Sequence, residues 1–332
     1  MAKRNLKNAV VVITGATSGI GRATALAFAD KGAHLVLAAR KQDKLDDIQD
    51  ACIERGGLAN TIQTDVTNGA SVKYLAEHAA QLGGGRINVW VNNAGVGAVG
   101  DFLDTPLEAH EKVIRTNLLG YLYGAHAALP FFVEQGEGVL INNISFGAWF
   151  PAPFAAAYSA SKYGLEGFSQ ALRGELFRWP GIRICDVYPA FVNTPGISDN
   201  AANYTGRNLG KPGLAIEPEK VADAMVSLAQ NPRDHLMVGL TAHATRVAHA
   251  VSPNLTRSLA ARFADLFLGI RPEQTPTSGG LFEAGPGNRT TGADPRQRQA
   301  LRFAGAALAV GGLAYLLTRP PVRQSQLARK VF

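Results

Sequence analysis

Tyr158 and Lys162 are the residues whose types and spacing most clearly suggest chemistry. They stand four positions apart in the segment YSASK, a spacing that places two side chains one turn apart on the same helix face. A free tyrosine has a pKa near ~10 and keeps its proton at neutral pH. A cation one turn away favours the phenolate. The pair predicts an acid/base tyrosine, although YxxxK alone also occurs by chance on exposed helices.

Ser145 strengthens this prediction. It follows the apolar run 139–144, which has the composition of a buried strand. Its hydroxyl is therefore expected at the carboxyl edge of a parallel sheet, where ligands bind in open α/β folds.

A glycine-rich segment, TGATSGIG at 14–21, predicts a phosphate-binding turn. Gly15, Gly19 and Gly21 allow a tight turn and a close approach of the backbone to a pyrophosphate, and the next helix offers free N–H groups. Ser18 and Ile20 lie in the same turn and belong to the predicted site. The alternative is an ordinary strand-to-helix turn.

Arg40 points to the cofactor type. An NAD site usually has a carboxylate about 20 residues beyond the glycines, to bind the ribose 2′-hydroxyl. Here Ala39 and Arg40 occupy that place, and the first acid is Asp43. A guanidinium suits a 2′-phosphate, so NADP is predicted over NAD. The alternative is a solvated arginine at a strand end.

The elements that must position these residues alternate along the first 240 positions. Strands are predicted at 9–14, 34–38, 60–64, 87–91, 138–144, 182–187 and 236–238, and helices at 20–31, 44–54, 71–81, 107–133, 155–178 and 218–228. Continuous apolar strands joined by helices indicate a doubly wound, Rossmann-type α/β domain with a parallel sheet.

With these motifs the chain resembles the short-chain dehydrogenase/reductase family from residue 8 to about 240, or about 70% of its length. The matching elements are TGATSGIG (14–21), Asp65-Val66, NNAG (92–95), Asn117, Ser145, YSASK (158–162), and Pro189 with Val192 and Thr194.

The resemblance implies a role for each catalytic position. Tyr158 would be the general acid in reduction and the general base in oxidation, and Ser145 would hydrogen-bond the substrate oxygen. Lys162 would hold the nicotinamide ribose and lower the tyrosine pKa, and Asn117 would anchor a water that relays protons from Lys162. The alternative for Asn117 is a buried polar residue that bonds the backbone.

Further positions are implied in cofactor binding. Asp65 and Val66 would face the adenine, Asn92 and Gly95 would support the cofactor beside the sheet, and Thr194, in the segment with Pro189 and Val192, would bind the nicotinamide carboxamide. Asp65 is alternatively a helix N-cap, and Thr194 alternatively a turn residue. The chain departs from the family pattern at Asn88, where aspartate is frequent, and at Ala190, where glycine is frequent.

The predicted substrate side is aromatic. Residues 146–154 read FGAWFPAPF, and Phe102 and Phe191 are candidates to join them. Such a lining suits a lipophilic alcohol or carbonyl, and the alternative is aromatic packing. Residues 195–215 fall where the family carries a mobile substrate lid.

The C-terminal region is basic. Residues 241–332 hold 12 Lys and Arg against 4 Asp and Glu, a net charge of +8 in a chain of +7. We predict an NADP-binding domain at 1–240, an amphipathic helical extension at 241–270, a flexible linker at 271–299, and a hydrophobic helix with basic flanks at 300–332. The uncharged run 303–317 favours a membrane anchor, although it is short for a span; a helix docked on protein is the alternative.

Composition and residue spacing limit the cellular compartment, the metal and nucleic-acid sites, and the assembly that can be predicted. The N-terminus lacks the pattern of a signal peptide, and two separated cysteines favour a reducing compartment, so a cytoplasmic catalytic domain is predicted. Irregularly spaced histidines indicate no metal site, and no nucleic-acid module is recognised. The family resemblance implies pairing through the helix at 155–178, whose apolar positions fit a homodimer or homotetramer unless they pack on the sheet.

Together these patterns predict an NADP-dependent oxidoreductase that acts on an alcohol or a carbonyl. The alternative is a non-catalytic protein of the same fold that senses a dinucleotide or tethers to a membrane.

Overall fold

Seven apolar runs of the chain form one parallel sheet. The computed structural model describes residues 3–198, 200–210, 215–283 and 289–291. In this part, the strands are β1 (Val10–Thr14), β2 (His34–Ala39), β3 (Leu58–Gln63), β4 (Val89–Asn92), β5 (Ala98–Val99), β6 (Gly138–Asn143), β7 (Ile182–Pro189), β8 (Ala202–Asn203) and β9 (His235–Val238). The sheet order is β3-β2-β1-β4-β6-β7-β9, and β5 pairs separately with β8. The order reverses between β1 and β4, which places a ligand crevice at their carboxyl ends.

Helices connect the strands and cover both faces of the sheet. Their bounds are α1 (Gly19–Ala29), α2 (Gln42–Glu54), α3 (Gly69–Leu82), α4 (Leu107–Ile114), α5 (Gly120–Gln135), α6 (Ala156–Glu175), α7 (Pro195–Ser198), α8 (Pro218–Gln230), α9 (Leu240–Val251) and α10 (Pro253–Gly269). The predicted doubly wound α/β fold is confirmed.

Two hydrophobic cores lie on opposite faces of the sheet because side chains alternate along each strand. Val11 and Ile13 of β1 belong to the core that includes Phe28 of α1, whereas Val10 and Val12 belong to the core that includes Leu75 of α3. Each fully buried side chain of this kind contributes about 1.5–3 kcal/mol.

The helix predicted at 107–133 is interrupted. Between α4 and α5 the turn Arg115–Leu119 is π-helical, a local widening that is frequent at functional sites. It holds Asn117, and periodicity alone does not reveal it.

The predicted amphipathic helix at 241–269 is two helices. Ser252 separates α9 from α10 with an extended φ of −147°, since the residue before a proline is disfavoured in the helical region. Leu255 and Phe263 of α10 are 58% and 54% exposed, so this helix adds little to the core.

Residues 271–283 differ from a flexible linker. They lack helix, as expected, but Thr277 pairs with Asn203 and Glu273 with Arg207 in antiparallel bridges. Leu281 is fully buried in a cluster with Ala98 and Ala202. We call residues 271–283 and 289–291 the C-terminal strap.

The predicted helix at 300–332, with its apolar run 303–317, lies outside the described residues. Among the helices that are described, none has the length and apolar character needed to cross a bilayer. Membrane attachment through this region stays a prediction.

The apolar positions of α6 pack mainly on this chain's own core. Leu165 is fully buried, and Phe168, Leu172 and Leu176 contact buried core residues, whereas Phe177 beyond the helix is 72% exposed. Packing on the chain's own core was the alternative to an interface. Self-association stays a prediction.

Candidate active site

Ser145 and Tyr158 meet at the carboxyl edge of the sheet. Ser145 follows β6 and Tyr158 lies in the first turn of α6, and the two hydroxyls are hydrogen-bonded. Ser145 holds a positive φ of 145°, a strained conformation for a residue with a side chain. A Cβ at Gly147 would lie 3.4 Å from Tyr158 Cε1 and 3.5 Å from Ser145 Oγ. Gly147 therefore lies directly beside this pair, at a distance where a methyl group would make ordinary contact.

Lys162 is held beneath the tyrosine by a backbone carbonyl. Its Nζ donates to the Asn143 oxygen at 3.1 Å and lies 5.6 Å from the centre of the Tyr158 ring. The Tyr121 hydroxyl donates to the same oxygen at 2.9 Å. Sequence reasoning missed Asn143 and Tyr121. The Asn143 carbonyl accepts from both Lys162 and Tyr121, and no sequence motif marks such a contact.

Burial governs both titrating groups of the pair. Lys162 is 4% exposed, and its desolvation lowers its pKa to about 7. Desolvation raises the pKa of Tyr158, and the hydrogen bond with Ser145 acts in the opposite direction. Burial disfavours the charged forms of both groups, so Tyr158 holds its proton more firmly than a free tyrosine does. The predicted lowering of the Tyr158 pKa by Lys162 would act against this burial and stays a prediction.

A pH dependence follows from these shifts. We expect kcat/KM for carbonyl reduction to fall as pH rises through about 7, because Lys162 then loses the charge that would stabilise the developing phenolate. The check is a pH–rate profile of the wild type beside Lys162→Arg, whose guanidinium stays charged. If kcat/KM falls near pH 7 in Lys162→Arg as it does in the wild type, the titration belongs to another group.

Asn117 is fully buried and engaged by the backbone of Val96. Its Oδ1 accepts from the Val96 N–H at 2.8 Å, and its Nδ2 donates to the Val96 carbonyl at 2.9 Å and to Ser161 Oγ at 3.5 Å. This is the arrangement foreseen as the alternative. A water relay from Lys162 through Asn117 stays a prediction.

The glycine turn follows β1 as its spacing predicts. Gly15 and Gly19 have positive φ values of 66° and 52°, and a Cβ on Gly21 would overlap the Gly15 carbonyl oxygen. Ser18 is the extended N-cap residue that precedes α1, and Ile20 packs on the core behind the turn. The turn therefore requires glycine where the sequence has it.

Asn93 ties the turn to the strand beside it. Its Nδ2 donates to the carbonyls of Thr14 and Gly15 at 3.0 and 3.2 Å, and its backbone N–H donates to Thr14 Oγ1 at 3.0 Å. By contrast, Asn92 is 1% exposed and donates to Asn142 Oδ1 and the Tyr121 carbonyl. Asn92 thus braces the sheet interior, and Asn93 is the neighbour that sequence reasoning missed.

Asp65 and Val66 follow β3 on the adenine side of the predicted site. Asp65 Oδ1 accepts from the Thr67 N–H and hydroxyl at 2.9 and 2.8 Å. Burial acts to raise its pKa, but the bonds from Thr67 and the charges of Lys112 and Arg40 leave the pKa below its usual value. The N-cap of α3 is Asn68, so capping is not the role of Asp65. Val66 packs against Gly120.

The remaining predicted residues lie around the same crevice. A Cβ on Gly95 would be 3.4 Å from Asn117 Oδ1, and one on Gly19 would be 3.2 Å from Thr194 Cβ. Pro189 ends β7, and Val192 forms a bridge with Ile216. Thr194 therefore lies against the glycine turn, on the far side of the crevice from Asp65.

The two departures from the family pattern are accommodated by the backbone. The Ala190 N–H donates to the Val238 carbonyl at 2.9 Å, and Ala190 does not adopt a positive φ. Asn88 Oδ1 accepts from the Val10 N–H at 2.8 Å, at the start of β1. Neither contact reaches the Ser145–Tyr158–Lys162 group.

Arg40 stands at the end of β2, as predicted, but its partners belong to the C-terminal strap. Its guanidinium donates to the carbonyl oxygens of Phe282, Gly280 and Glu283 at 3.0, 3.1 and 3.3 Å. The Gly19 N–H donates to the Arg289 carbonyl at 2.9 Å. The strap therefore contacts both ends of the predicted phosphate-binding region.

The aromatic segment after Ser145 is partly exposed and partly packed. Phe146 contacts Phe191 edge to face at 5.1 Å between ring centres, and Phe191 is 48% exposed. Trp149 instead stacks on Tyr188 with 4.0 Å between ring centres, and the guanidinium of Arg246 in α9 lies over the Trp149 ring, 4.3 Å from its centre. Phe102 stacks separately on His110. Phe146 and Phe191 can therefore line a substrate site, whereas Trp149 and Phe102 are occupied by contacts with other side chains.

The predicted lid at 195–215 contains α7 and β8 in its described residues. The Asn203 N–H and carbonyl exchange two 2.8 Å hydrogen bonds with Thr277 of the strap. The strap therefore holds the part of the predicted lid around Asn203 in place.

Comparison with known proteins shows the family to which the chain is similar. The profile of the family described as short chain dehydrogenase matches residues 9–204. The uncharacterized oxidoreductase YxnA of Bacillus subtilis is 31% identical over 293 residues, which cover 87% of this chain and 82% of that protein. The probable oxidoreductase EphD of Mycobacterium tuberculosis is 34% identical over 264 residues, 76% of this chain but only 44% of that protein.

Two solved structures are similar over about 70% of this chain. An alcohol dehydrogenase from the archaeon Thermococcus sibiricus, complexed with 5-hydroxy-NADP, superposes with a TM-score of 0.60 at 26% identity over 69% of this chain and 95% of that one. A metagenomic short-chain oxidoreductase in complex with NADP gives 0.61 at 29% identity over 71% and 99%.

Proposed function

Because the chain belongs to the short-chain dehydrogenase family of oxidoreductases, we propose that it is an NADP-dependent enzyme that interconverts an alcohol and a carbonyl compound. The observation that carries the proposal is the group formed by Ser145, Tyr158 and Lys162 at the carboxyl edge of the sheet. The glycine turn beside it leads from β1 into the N-terminus of α1, and such a helix N-terminus suits the pyrophosphate of a dinucleotide.

The nicotinamide, when bound, supplies or accepts the hydride. The proton is the task of this chain's own residues. Tyr158 holds it at the phenol oxygen, and a raised pKa keeps that oxygen protonated at neutral pH, as an acid that serves carbonyl reduction must be. Ser145, bonded to Tyr158, offers its hydroxyl to the same substrate oxygen and orients it.

Lys162 has a supporting task. Its ammonium lies under the Tyr158 ring and is anchored at the Asn143 carbonyl, where it stabilises the phenolate that proton transfer creates. The same ammonium would bind the ribose hydroxyls of the nicotinamide half.

The substrate class is proposed from the rings beside Ser145. Phe146 and the half-exposed Phe191 form an apolar contact surface next to the acid, which favours a lipophilic substrate. The test is consumption of NADPH with a panel of ketones and aldehydes of increasing apolar size. Binding of NADPH without turnover on any carbonyl or alcohol would favour the non-catalytic, dinucleotide-sensing alternative.

Arg40→Asp tests the cofactor type in the same assay. A charge-assisted hydrogen bond is worth about 1.5–3 kcal/mol, so we expect NADPH affinity to fall about tenfold or more while NADH affinity is kept or improved. Lys31→Asp is the matched control, since it makes the same charge change at an exposed position before β2. Equal losses for NADPH and NADH would reject the assignment of Arg40 to the 2′-phosphate.

A further inference from the structure

The C-terminal strap engages the groups proposed for the phosphates of the dinucleotide. Arg40 is the residue assigned to the 2′-phosphate, and its guanidinium donates three hydrogen bonds to strap carbonyls between Gly280 and Glu283. A guanidinium that is bonded to three oxygens has few donors left for another ligand. The strap and a 2′-phosphate therefore require the same donors.

The second shared group is the backbone of the glycine turn. Gly19 opens α1, and its N–H would face the pyrophosphate because the first N–H groups of a helix have no partner within it. This N–H donates to the Arg289 carbonyl at 2.9 Å. Carbonyl oxygens of one segment thus accept the hydrogen bonds at both positions where phosphate oxygens are proposed to accept them.

The strap is anchored before it reaches these positions. The Asn203–Thr277 pair makes two 2.8 Å hydrogen bonds, and the Gly280 N–H donates to the Asn200 carbonyl at 2.8 Å. Leu281 is fully buried beside Ala98 and Ala202. Phe282, the next residue, is 45% exposed. The buried anchor therefore ends at Leu281, and Arg40 and Gly19 form hydrogen bonds with described residues that follow it.

We propose that the strap is an autoinhibitory segment. Its residues 282–283 and 289–291 compete with the dinucleotide for Gly19 and for two of the three Arg40 hydrogen bonds, while the part up to Leu281, which includes the Gly280 carbonyl, stays in place. This rests on the proposed function, since it assumes that an NADP phosphate uses these groups. Phosphate oxygens are charged and form stronger hydrogen bonds with a guanidinium than neutral carbonyls do. NADPH displaces the strap at sufficient concentration, and its apparent affinity is lowered by the fraction of molecules in which the strap is closed.

Competition predicts that NADPH releases the strap in the full chain. We expect saturating NADPH to accelerate cleavage by trypsin after Arg289, followed by mass spectrometry, because the Arg289 carbonyl leaves Gly19. Deuterium exchange at Leu281 should stay slow, since the anchor does not move. Slower cleavage with NADPH would overturn the proposal, because the strap would then cover the bound dinucleotide. Unchanged cleavage would also overturn it, because NADPH binding would then leave the strap in place.

A pair of truncations measures the size of the effect. One chain ends at Leu281 and keeps the anchor, and its matched control ends at Thr291 and keeps the strap, so that both lack residues 292–332. A strap closed nine-tenths of the time would weaken binding about tenfold. We therefore expect the chain ending at Leu281 to bind NADPH about tenfold more tightly than its control, with thermal unfolding to show that both fold.

The truncations also separate this proposal from the proposed function. Equal NADPH affinity in the two folded chains overturns autoinhibition and leaves the enzyme proposal intact. Binding by neither chain overturns both, because competition needs a dinucleotide that binds. Tighter binding by the chain ending at Leu281, without turnover on any carbonyl or alcohol, supports autoinhibition and counts against the enzyme proposal.

Discussion

Tyr158→Phe is expected to lower turnover by ~10²–10⁴-fold and to leave NADPH binding nearly intact. The phenol oxygen carries the proton and the hydrogen bond with Ser145, whereas the ring supplies shape beside Gly147. Removal of the oxygen therefore deletes the acid and keeps the packing. The measurements are kcat with the best substrate of the panel and the dissociation constant for NADPH.

Tyr163→Phe is the matched control for this variant. Tyr163 lies on the same helix, five positions further along, and is 40% exposed. The control removes the same atom from α6 outside the site, and near-normal turnover is expected. Near-normal turnover in Tyr158→Phe itself would exclude Tyr158 from proton transfer.

Arg173→Met is expected to destabilise the fold by about 3–5 kcal/mol at neutral pH. Asp186 is fully buried and forms an ion pair with Arg173, whose Nε also donates to the Ile184 carbonyl at 3.0 Å. Ser169 donates to Asp186 at 2.8 Å, but a hydroxyl cannot replace the lost charge. The substitution leaves an uncompensated carboxylate between α6 and β7.

The same group of side chains has the geometry of a metal site. Oxygen and nitrogen atoms of Glu166, Asp186 and His235 lie within 4.8 Å of one another. The Arg173 guanidinium already supplies a positive charge to Asp186, and Glu166 is hydrogen-bonded to Tyr188. The cluster is therefore explained as a structural ion-pair network, in keeping with the large expected loss of stability.

Unfolding by urea at pH 7 and at pH 5 tests this prediction. Burial raises the pKa of Asp186, and Arg173 and Ser169 act against that rise, so the folded variant takes up a proton more readily than the unfolded chain as pH falls. The loss of stability should therefore be larger at pH 7 than at pH 5. Arg183→Met is the control, because its ion pair with Asp234 is partly exposed and such pairs contribute about 0–1 kcal/mol. Equal losses in the two variants would contradict the argument.

Local sequence was sufficient for the sheet, the glycine turn and the acid/base pair. The alternation of apolar strands and helices depends on side chains close in the chain, and so does the four-residue spacing of Tyr158 and Lys162 on α6. Gly15, Gly19 and Gly21 stand where the backbone turn admits no side chain. These features were predictable because each is decided within one or two elements.

Tertiary structure alone decided which groups meet across the chain. Periodicity does not distinguish Asn92, which braces the sheet, from Asn93, which holds the turn. Burial raises the pKa of Tyr158, and the sequence does not show this because desolvation depends on everything packed around a group. The contacts of Arg40 with the strap span about 240 residues, and the composition of residues 271–299 suggests only a linker. Such contacts follow from how distant segments pack, and no local pattern encodes them.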